Sequence, residues 1–346
     1  MNKFHPLTVR KIEPLTASAV KISFEIPEIL RNVYHFEAGQ YITLQQTIDN
    51  QKVRRAYSIC STGDDTMLSV AVKRIEGGIF STYATTQLKE GDVLEVLPPL
   101  GSFIFFHDIF GNKDLLLVAA GSGITPMMSI LKTALSKTGI NIVLLYGNKS
   151  AEETLFFNEI ETLKNLYPNR LHVHYAFSRK VWNDHHFGRI GKPIINYTLN
   201  QYKHLNLGRY YICGPQEMVD TTQIILEEKG IEKDKIFTEL FVAKEEKKPL
   251  ELEGQVSITT HIDGHTITFV TDKKVSLLEA IVAHGGDAPY SCQGGVCSSC
   301  MAHISDGKAE MIKNQTLTDK EIADGLILTC QAYATTDTIT VDYDNI

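Results

Sequence analysis

The chain has 346 residues, of which 43% are hydrophobic and 22% are charged, as expected for a folded protein of two or three domains. Its formal net charge is −7, and residues 254–346 carry 12 acidic and 5 basic side chains, which is the opposite of a nucleic-acid-binding surface. The acidic excess either aids solubility or steers the protein toward a basic surface of a partner. The sequence contains neither an apolar run of membrane-spanning length nor an N-terminal secretion signal, so we expect a cytoplasmic protein without a membrane span.

Residues 1–107 are predicted to form an antiparallel β-barrel. Short segments of alternating or β-branched residues are separated by turn sequences, a pattern typical of barrels and sandwiches. The six predicted strands are Thr8–Ile12, Val20–Ile26, Tyr41–Gln45, Ala56–Cys60, Leu68–Val72 and Val93–Leu97.

Two short motifs in this segment can serve a cofactor. In Arg55-Ala56-Tyr57-Ser58, an aromatic ring can lie against a flavin, a hydroxyl can bond near its reactive nitrogen, and an arginine can pair with phosphate. Taken alone, these residues are better explained by a surface strand with alternating polar side chains. In Gly77-Gly78-Ile79-Phe80-Ser81, the glycines precede a predicted helix at Thr82–Leu88, whose free N–H groups can hold an anion. Ser81 then either caps that helix or contacts a phosphate.

The order of these motifs, with Val72-Lys73-Arg74 between them, resembles that of the ferredoxin–NADP reductase family. The resemblance covers residues 1–241. It implies FAD rather than FMN, with Ser58 taking part in catalysis. The residues that it implies for flavin binding are Arg55, Tyr57, Ser58, Val72, Lys73, Arg74, Gly78 and Ser81.

Residues 108–241 are predicted to form a parallel sheet with helices on both faces, a nicotinamide-nucleotide-binding α/β domain. Apolar strands alternate with helical segments, which is typical of such sheets. The predicted strands are Leu115–Ala119, Ile142–Tyr146, Leu171–Phe177, Tyr210–Cys213 and Ile236–Leu240, and the predicted helices are Met127–Lys137, Ala151–Leu166, Lys192–Gln201 and Gln216–Lys229.

The first turn of this segment, Gly121-Ser122-Gly123-Ile124-Thr125-Pro126, is a candidate pyrophosphate site. Proline stands where the dinucleotide fingerprint has its third glycine, so that fingerprint is absent. We still expect the glycines to admit a close ligand, Thr125 to cap the helix and Pro126 to be its first residue. A plain strand–turn–helix connection is the alternative.

Two further sites in this segment are interpreted with the help of the family resemblance. Cys213-Gly214-Pro215, followed by Met218, is implied to lie beside the nicotinamide, with Cys213 guiding hydride transfer; a small buried cysteine is the alternative, and the only interpretation of Cys60. Ser178-Arg179 favours NADPH through a 2′-phosphate, although NADH remains open.

The end of the segment, Glu239-Leu240-Phe241, is where relatives bring an aromatic residue or an acid to the flavin. Phe241 is therefore assigned to cofactor binding, with a core position as the equal alternative. The pair His185-His186 is expected in a surface loop rather than at a metal site.

Residues 242–253 are predicted to be a linker, because seven charged residues and a proline occur in twelve positions. Beyond it, the pattern predicts a hairpin of Val256–Ile262 and Thr266–Val270 around Asp263-Gly264, and a short helix at Leu277–Ala283.

Four cysteines give the strongest motif. Cys292, Cys297, Cys300 and Cys330 have the C-x4-C-x2-C…C spacing of a plant-type [2Fe–2S] cluster, against the alternatives of zinc or a redox dithiol. The runs Ala288–Cys300 and Leu328–Asp337 resemble plant-type ferredoxins across residues 254–346. That resemblance implies a β-grasp fold with the four cysteines as cluster ligands.

The three segments form a series from NAD(P)H to FAD to the cluster and on to a partner, since a flavin exchanges both hydride and single electrons. Their order and the segment Gly307–Tyr333 resemble the reductase components of multicomponent oxygenases, among them those of phenylacetyl-CoA epoxidases and 3-ketosteroid hydroxylases. The resemblance implies an oxidoreductase that supplies an oxygenase, which we expect to dock through a basic surface. A reductase for a desaturase or a hybrid-cluster protein, or a redox sensor, is the alternative.

Overall fold

The computed structural model describes residues 3–106, 112–182, 185–241, 250 and 252–346. The chain divides into two compact units. The larger unit is His5–Val53 with Tyr57–Phe241, and the smaller unit is Val242–Ile346 with Met1–Phe4 and Arg54–Ala56. The predicted linker, 242–253, lies mostly outside the described residues.

The N-terminal part of the chain folds into a six-stranded antiparallel sheet, as predicted. Its strands are β1 (His5–Thr16), β2 (Ala19–Glu25), β3 (Tyr41–Ile48), β4 (Gln51–Ser58), β5 (Leu68–Lys73) and β6 (Val93–Leu100), and the helix α1 (Ile79–Thr86) follows β5. The strand order is β4-β3-β6-β1-β2-β5. Just past β4, Ile59 bridges Val70 of β5, and the Cys60 amide donates to the Ser69 carbonyl. These contacts join the two edges and close the barrel.

The central part folds into a parallel sheet, again as predicted, but with six strands instead of the five expected. Its strands are β7 (Asp114–Ala120), β8 (Ile142–Asn148), β9 (Leu171–Phe177), β10 (His186–Phe187), β11 (Leu207–Cys213) and β12 (Ile236–Glu239), and its helices are α2 (Ile124–Lys137), α3 (Phe157–Leu166), α4 (Lys192–Gln201) and α5 (Gln216–Glu228). The order is β10-β9-β8-β7-β11-β12. Along β7, Leu115 and Leu117 pack into one apolar core and Leu116 and Val118 into the other, which is why this strand is apolar throughout.

Two elements of this part differ most clearly from the prediction. The helix expected from Ala151 begins only at Phe157, because Phe156 has a left-handed φ of 58° that a continuous helix cannot contain. The loop expected at His185-His186 contains the short strand β10, which pairs with the end of β9.

The barrel and the parallel sheet share one apolar core within the larger unit. Phe103 and Phe105, from the segment after β6, pack into the same cluster as Leu117 and Met127. A polar contact accompanies this packing, since the fully buried hydroxyl of Ser129 in α2 donates to the Ser61 carbonyl at 2.7 Å. Apolar burial holds the two parts together, and a directional bond fixes how they meet.

The smaller unit contains a five-stranded mixed sheet and a two-stranded sheet. The strands are β13 (Gln255–Ile262), β14 (His265–Asp272), β15 (Met301–Asp306), β16 (Ala309–Met311), β17 (Leu326–Leu328), β18 (Ala332–Ala334) and β19 (Thr338–Asp342), and the helices are α6 (Leu277–Ala283) and α7 (Asp319–Ala323). The larger sheet has the order β14-β13-β19-β15-β17, so β19 is its central strand.

The predicted hairpin at the start of the smaller unit is confirmed. Its two-residue turn, Asp263-Gly264, has positive φ at both positions, as a type I′ turn requires. The carboxylate of Asp344 accepts hydrogen bonds from both turn amides, at 2.7 and 2.8 Å. Across the described ranges, none of the helices has the length and apolarity needed to cross a membrane.

A half-buried histidine of β9, His174, makes the stability of the larger unit depend on pH. Burial, together with the neighbouring His186 and His172, lowers the pKa of His174 from 6.5 to about 4, and its Nε2 lies 2.8 Å from the Tyr202 hydroxyl. A histidine whose pKa is lower in the folded state takes up its proton on unfolding. The contribution of neutral His174 to the free energy of unfolding is therefore complete above pH 6.5 and is lost as the pH falls toward 4.

We expect the thermal unfolding midpoint of the wild-type protein to fall between pH 7 and pH 4.5, and the fall to be smaller in His174→Gln. The exposed His35 of the same unit supplies the matched control, His35→Gln, which should follow the wild type. Circular dichroism at a series of pH values measures this. Identical pH dependence in His174→Gln and the wild type would contradict the assignment.

Candidate functional site

The flavin motif on β4 meets the helix that follows the second motif. Arg55 is exposed, Tyr57 is half-buried and Ser58 is almost fully buried. The ring of Tyr57 packs against Phe80 of α1, with centroids 5.6 Å apart. The structure therefore brings the two predicted flavin motifs side by side, although they are separated along the chain.

The glycine turn before α1 is a tight cradle. Gly77 has a φ of +72°, and a Cβ at Gly78 would lie 2.5 Å from the Ser81 hydroxyl, so both positions require glycine. Ser81 is not the helix cap that the sequence suggested as one possibility; the cap position is Gly78, and no side chain caps the helix. The Ser81 hydroxyl instead accepts from the Ile75 amide and donates to the Gly78 carbonyl. The uncapped helix start suits the phosphates of FAD.

The three residues of the Val72-Lys73-Arg74 motif lie in three different environments. The side chain of Val72 is buried in the barrel core, so only its main chain is left for a ligand. Burial lowers the pKa of Lys73, whose charged neighbours are Glu153 and Lys149 of the parallel-sheet part. Arg74 is exposed, and its amide donates to the Ser18 carbonyl. Lys73 therefore lies where the barrel and the parallel sheet meet.

The turn after β7 fits a bound phosphate through its glycines. Gly121 has a φ of +56° and begins a single 3-10 turn, Gly121–Gly123, which leads directly into α2. A Cβ at Gly123 would lie 2.1 Å from the Cys213 carbonyl oxygen, so the turn rests directly on the end of β11. No side chain caps either helical segment, which leaves N–H groups for an anion.

The roles expected of Thr125 and Pro126 at this turn are wrong. Helix α2 begins at Ile124 with Gly123 at the cap position, so Thr125 is not the cap and Pro126 is not the first residue. Thr125 is buried and its hydroxyl donates to the Ser122 carbonyl at 3.0 Å. The Thr125 hydroxyl is therefore engaged within the turn itself.

The remaining predicted nucleotide residues lie at the carboxyl ends of β11 and β9, two strands of the parallel sheet. Gly214 and Pro215 lead from β11 into α5, and the buried Met218 lies against Gly214. At the end of β9, the Ser178 amide donates to the Asn148 carbonyl, and Arg179 follows with an exposed side chain. Carboxyl ends of parallel strands are where nucleotides bind in such sheets.

Phe241 follows the end of β12 and is 38% exposed, so the core position considered for it is wrong. The side chain is available to a ligand, and its assignment to cofactor binding stays a proposal.

A buried carboxyl group, which sequence reasoning did not select, lies between the two predicted catalytic residues. The Ser58 hydroxyl donates to Oε2 of Glu239 at 3.4 Å, and Glu239 is the direct partner of Cys213 in the β11–β12 pairing. Glu239 is half-buried as a residue, and desolvation of its carboxyl group raises its pKa to about 8. Glu239 therefore holds a proton at neutral pH.

Cys213 is fully buried beside this carboxyl group. Burial first, and then the neighbouring Glu239 charge, raise the pKa of Cys213, so its thiol stays neutral. The signal for Glu239 was present in the Glu239-Leu240-Phe241 run, but its importance depends on Ser58, far away in the sequence.

The four predicted cluster ligands converge in the smaller unit. The thiols of Cys292 and Cys297 are 3.1 Å apart, and Cys300 forms a second hydrogen-bonded pair with Cys330. Among residues 3–106, 112–182, 185–241, 250 and 252–346, no cluster of three or more ligands is arranged around a single ion. Two thiol pairs instead suit the two irons of a [2Fe–2S] cluster.

Peptide N–H groups around the thiols favour their ionised, ligating form. The hydrogen bond from Cys297, followed by the amides of Gly294, Val296 and Cys297 itself, lowers the pKa of Cys292 against the effect of burial. Gly294 donates to the Cys292 sulfur at 3.3 Å. The Ser291 hydroxyl is buried without a hydrogen-bond partner. It is therefore a further donor from which a cluster sulfide could accept a hydrogen bond. The donor set therefore fits an anionic iron–sulfur cluster.

Three family models match the chain in succession. An oxidoreductase FAD-binding domain matches residues 6–105, an oxidoreductase NAD-binding domain matches residues 117–223, and a 2Fe-2S iron-sulfur cluster binding domain matches residues 260–335.

The chain is similar over nearly its whole length to known oxygenase components. It is 36% identical to a component of the 1,2-phenylacetyl-CoA epoxidase of Escherichia coli K12, over 99% of both chains. It is 32% identical to the ferredoxin reductase component of 3-ketosteroid-9-alpha-monooxygenase from Rhodococcus rhodochrous, over 97% of this chain and 96% of that protein. Among solved structures, phthalate dioxygenase reductase shares the fold, with a TM-score of 0.61 and 24% identity over 98% of each chain.

The raised pKa of Glu239 predicts how nucleotide-driven reduction depends on pH. Above pH 8 the carboxyl group ionises, and a buried negative charge beside Ser58 opposes further negative charge at the same position. We expect the rate of dye reduction to fall about tenfold between pH 7 and pH 9, since only about a tenth of the carboxyls stay protonated one unit above the pKa.

Glu239→Gln should abolish that alkaline fall while keeping a neutral hydrogen-bonding group beside Ser58. The exposed Glu232, which pairs with Lys235, supplies the control Glu232→Gln, and this variant should keep the wild-type profile. If the rate of dye reduction by Glu239→Gln fell between pH 7 and pH 9 as much as that of the wild type, the alkaline fall would arise from a group other than Glu239.

Proposed function

This chain belongs to the ferredoxin–NADP reductase-type oxidoreductases that carry a 2Fe-2S domain, and we propose that it passes electrons from NADPH to the oxygenase component of a phenylacetyl-CoA epoxidase. The similarity to a component of such an epoxidase over 99% of both chains supports this partner. A steroid hydroxylase is the second candidate, supported by the 32% identity to a ketosteroid monooxygenase component. We place the reaction in the cytoplasm, where reducing conditions keep cluster thiols free of disulfides.

The observation that carries the proposal is the meeting of Ser58, Cys213 and Glu239 in one folded unit. Ser58 comes from the flavin strand, whereas Cys213 and Glu239 end two strands of the nucleotide-binding sheet. When bound, FAD takes up a hydride and releases its electrons singly, and a [2Fe–2S] cluster takes them one at a time. The protein excludes water around Ser58 and Cys213, and Glu239 holds a proton beside them.

The preference for NADPH rests on two cations, Lys149 past the end of β8 and Arg179 past the end of β9. The Arg179 amide donates to the Lys149 carbonyl at 3.0 Å, so the two residues are neighbours, and both side chains are exposed. A 2′-phosphate pairs favourably with such cations. Lys149 also lies 3.5 Å from Glu153, which a phosphate would have to displace or share.

An anaerobic absorption titration of the purified protein with NADPH, and separately with NADH, tests the electron path and the donor together. We expect flavin and iron–sulfur bands to bleach with NADPH at lower nucleotide concentration than with NADH. Bleaching by NADH at an equal or lower nucleotide concentration would contradict the assignment of NADPH as the donor. Both chromophores present and unreduced by either nucleotide would contradict the reductase function.

We also propose that the oxygenase docks through a basic surface, because residues 254–346 carry 12 acidic and 5 basic side chains. Turnover with the epoxidase oxygenase component should slow by about tenfold between about 50 and 500 mM salt, as screening weakens the attraction. An uncharged dye as acceptor is the control, and its reduction should change little. Salt-independent turnover with the oxygenase would contradict the docking proposal alone.

A further inference from the structure

The hydroxyl of Tyr146 lies behind the glycine turn that begins α2. Tyr146 is in β8, next to β7 in the sheet, and is fully buried. Its hydroxyl donates to the Gly121 carbonyl at 3.0 Å, with the Leu155 carbonyl as a weaker acceptor at 3.4 Å. The side chain therefore reaches past the end of β7 to hold a main-chain carbonyl of the turn.

Because of the geometry of the peptide group, this contact also determines the direction of the neighbouring N–H. A peptide is planar and trans, so its C=O and N–H point in opposite directions. Because the Gly121 carbonyl points inward to Tyr146, the Ser122 N–H of the same peptide points away from that hydroxyl. An outward N–H at an uncapped helix start is the donor that a phosphate requires.

The turn does not fix this orientation by its own sequence. Gly121 adopts a φ of +56° readily, but a glycine adopts other conformations almost as readily. At the far end of the turn, Gly123 is held by close packing, since its Cβ would lie 2.1 Å from the Cys213 carbonyl oxygen. At the near end, the hydrogen bond from the Tyr146 hydroxyl holds the Gly121 carbonyl in place.

We propose that Tyr146 is a positioning residue for the nicotinamide nucleotide: its hydroxyl orients the Gly121–Ser122 peptide so that the Ser122 N–H faces an incoming phosphate. This inference rests on the proposed function, because it takes Gly121–Gly123 as the pyrophosphate site. Loss of the hydroxyl lets the peptide rotate in the free protein, and binding must then restore it. The effect falls on nucleotide affinity, not on the rate of hydride transfer from bound nucleotide.

Tyr146→Phe tests the proposal, because it keeps the ring and removes only the hydroxyl. The matched control is Tyr175→Phe in the adjacent strand, whose ring packs against Tyr146 at 6.2 Å and whose hydroxyl donates to Glu161 at 3.0 Å. We expect Tyr146→Phe to raise Kd and KM for NADPH about three- to tenfold, the worth of one net hydrogen bond. The kcat at saturating NADPH and the flavin content should stay unchanged, and Tyr175→Phe should stay within about twofold of the wild type.

A readout without nucleotide is the amide resonance of Ser122, which should shift in Tyr146→Phe and not in Tyr175→Phe. An unchanged Kd in Tyr146→Phe, or an equal rise in both variants, would overturn the positioning role. A wild-type protein that neither nucleotide reduces would instead reject the proposed function.

A second variant approaches the same peptide from the other side, in case Tyr146→Phe fails to fold. Gly121→Ala keeps the tyrosine but disfavours a φ of +56°, and its Cβ would meet no protein atom within 4 Å, so in the free protein the backbone conformation is the only change. We expect a similar rise in Kd for NADPH. An unchanged Kd would reject the role of the peptide orientation.

Discussion

The interaction on which the larger unit depends is the burial of one apolar core shared by the barrel and the parallel sheet. Phe103 and Phe105 leave the barrel to pack beside Tyr211 of β11, and the Tyr211 hydroxyl donates to the Ile104 carbonyl. Separating the two parts would expose these rings to water, so a hinge between them is costly. The Ser129–Ser61 bond adds direction to this packing. Ser58 and Cys213 are consequently held together by the fold, not by a ligand.

The two glycine turns of the larger unit are held in place by different contacts. Each begins a helix without a side-chain cap, so its N–H groups remain free for phosphate. Before α1, the Ser81 hydroxyl fills the space behind Gly78 and ties the turn to itself. Before α2, the support comes from neighbouring strands, through the main chain at Cys213 and the hydroxyl of Tyr146. One turn is therefore self-supporting, whereas the other depends on the sheet beneath it.

The sequence predicted those features that depend on local pattern. Leu171–Phe177, Lys192–Gln201 and Leu277–Ala283 were predicted with the bounds that the structure has, because their periodicity and flanking residues agree. The cysteine spacing likewise predicted a group of four thiols, and the structure places them in two pairs within the smaller unit.

The failures have long-range or stereochemical causes. The helix before Leu166 starts late because of the left-handed Phe156, which no composition reveals. Thr125 and Pro126 have the composition of a helix start, but the glycines before them are already helical. Glu239 acquires its raised pKa from burial beside Ser58, a residue of another sheet. Such effects depend on the tertiary structure and cannot be read from neighbouring residues.

The central position of β19 in the smaller unit has a consequence for biosynthesis. Its hydrogen-bonding partners are β13 and β15, so the sheet cannot close until the chain has been made as far as Asp342. The strands of the larger unit are complete at Glu239. At a translation rate of about 5–20 residues per second, several seconds separate the two events. The strands of the larger unit are thus all synthesised before the central strand on which the smaller sheet depends.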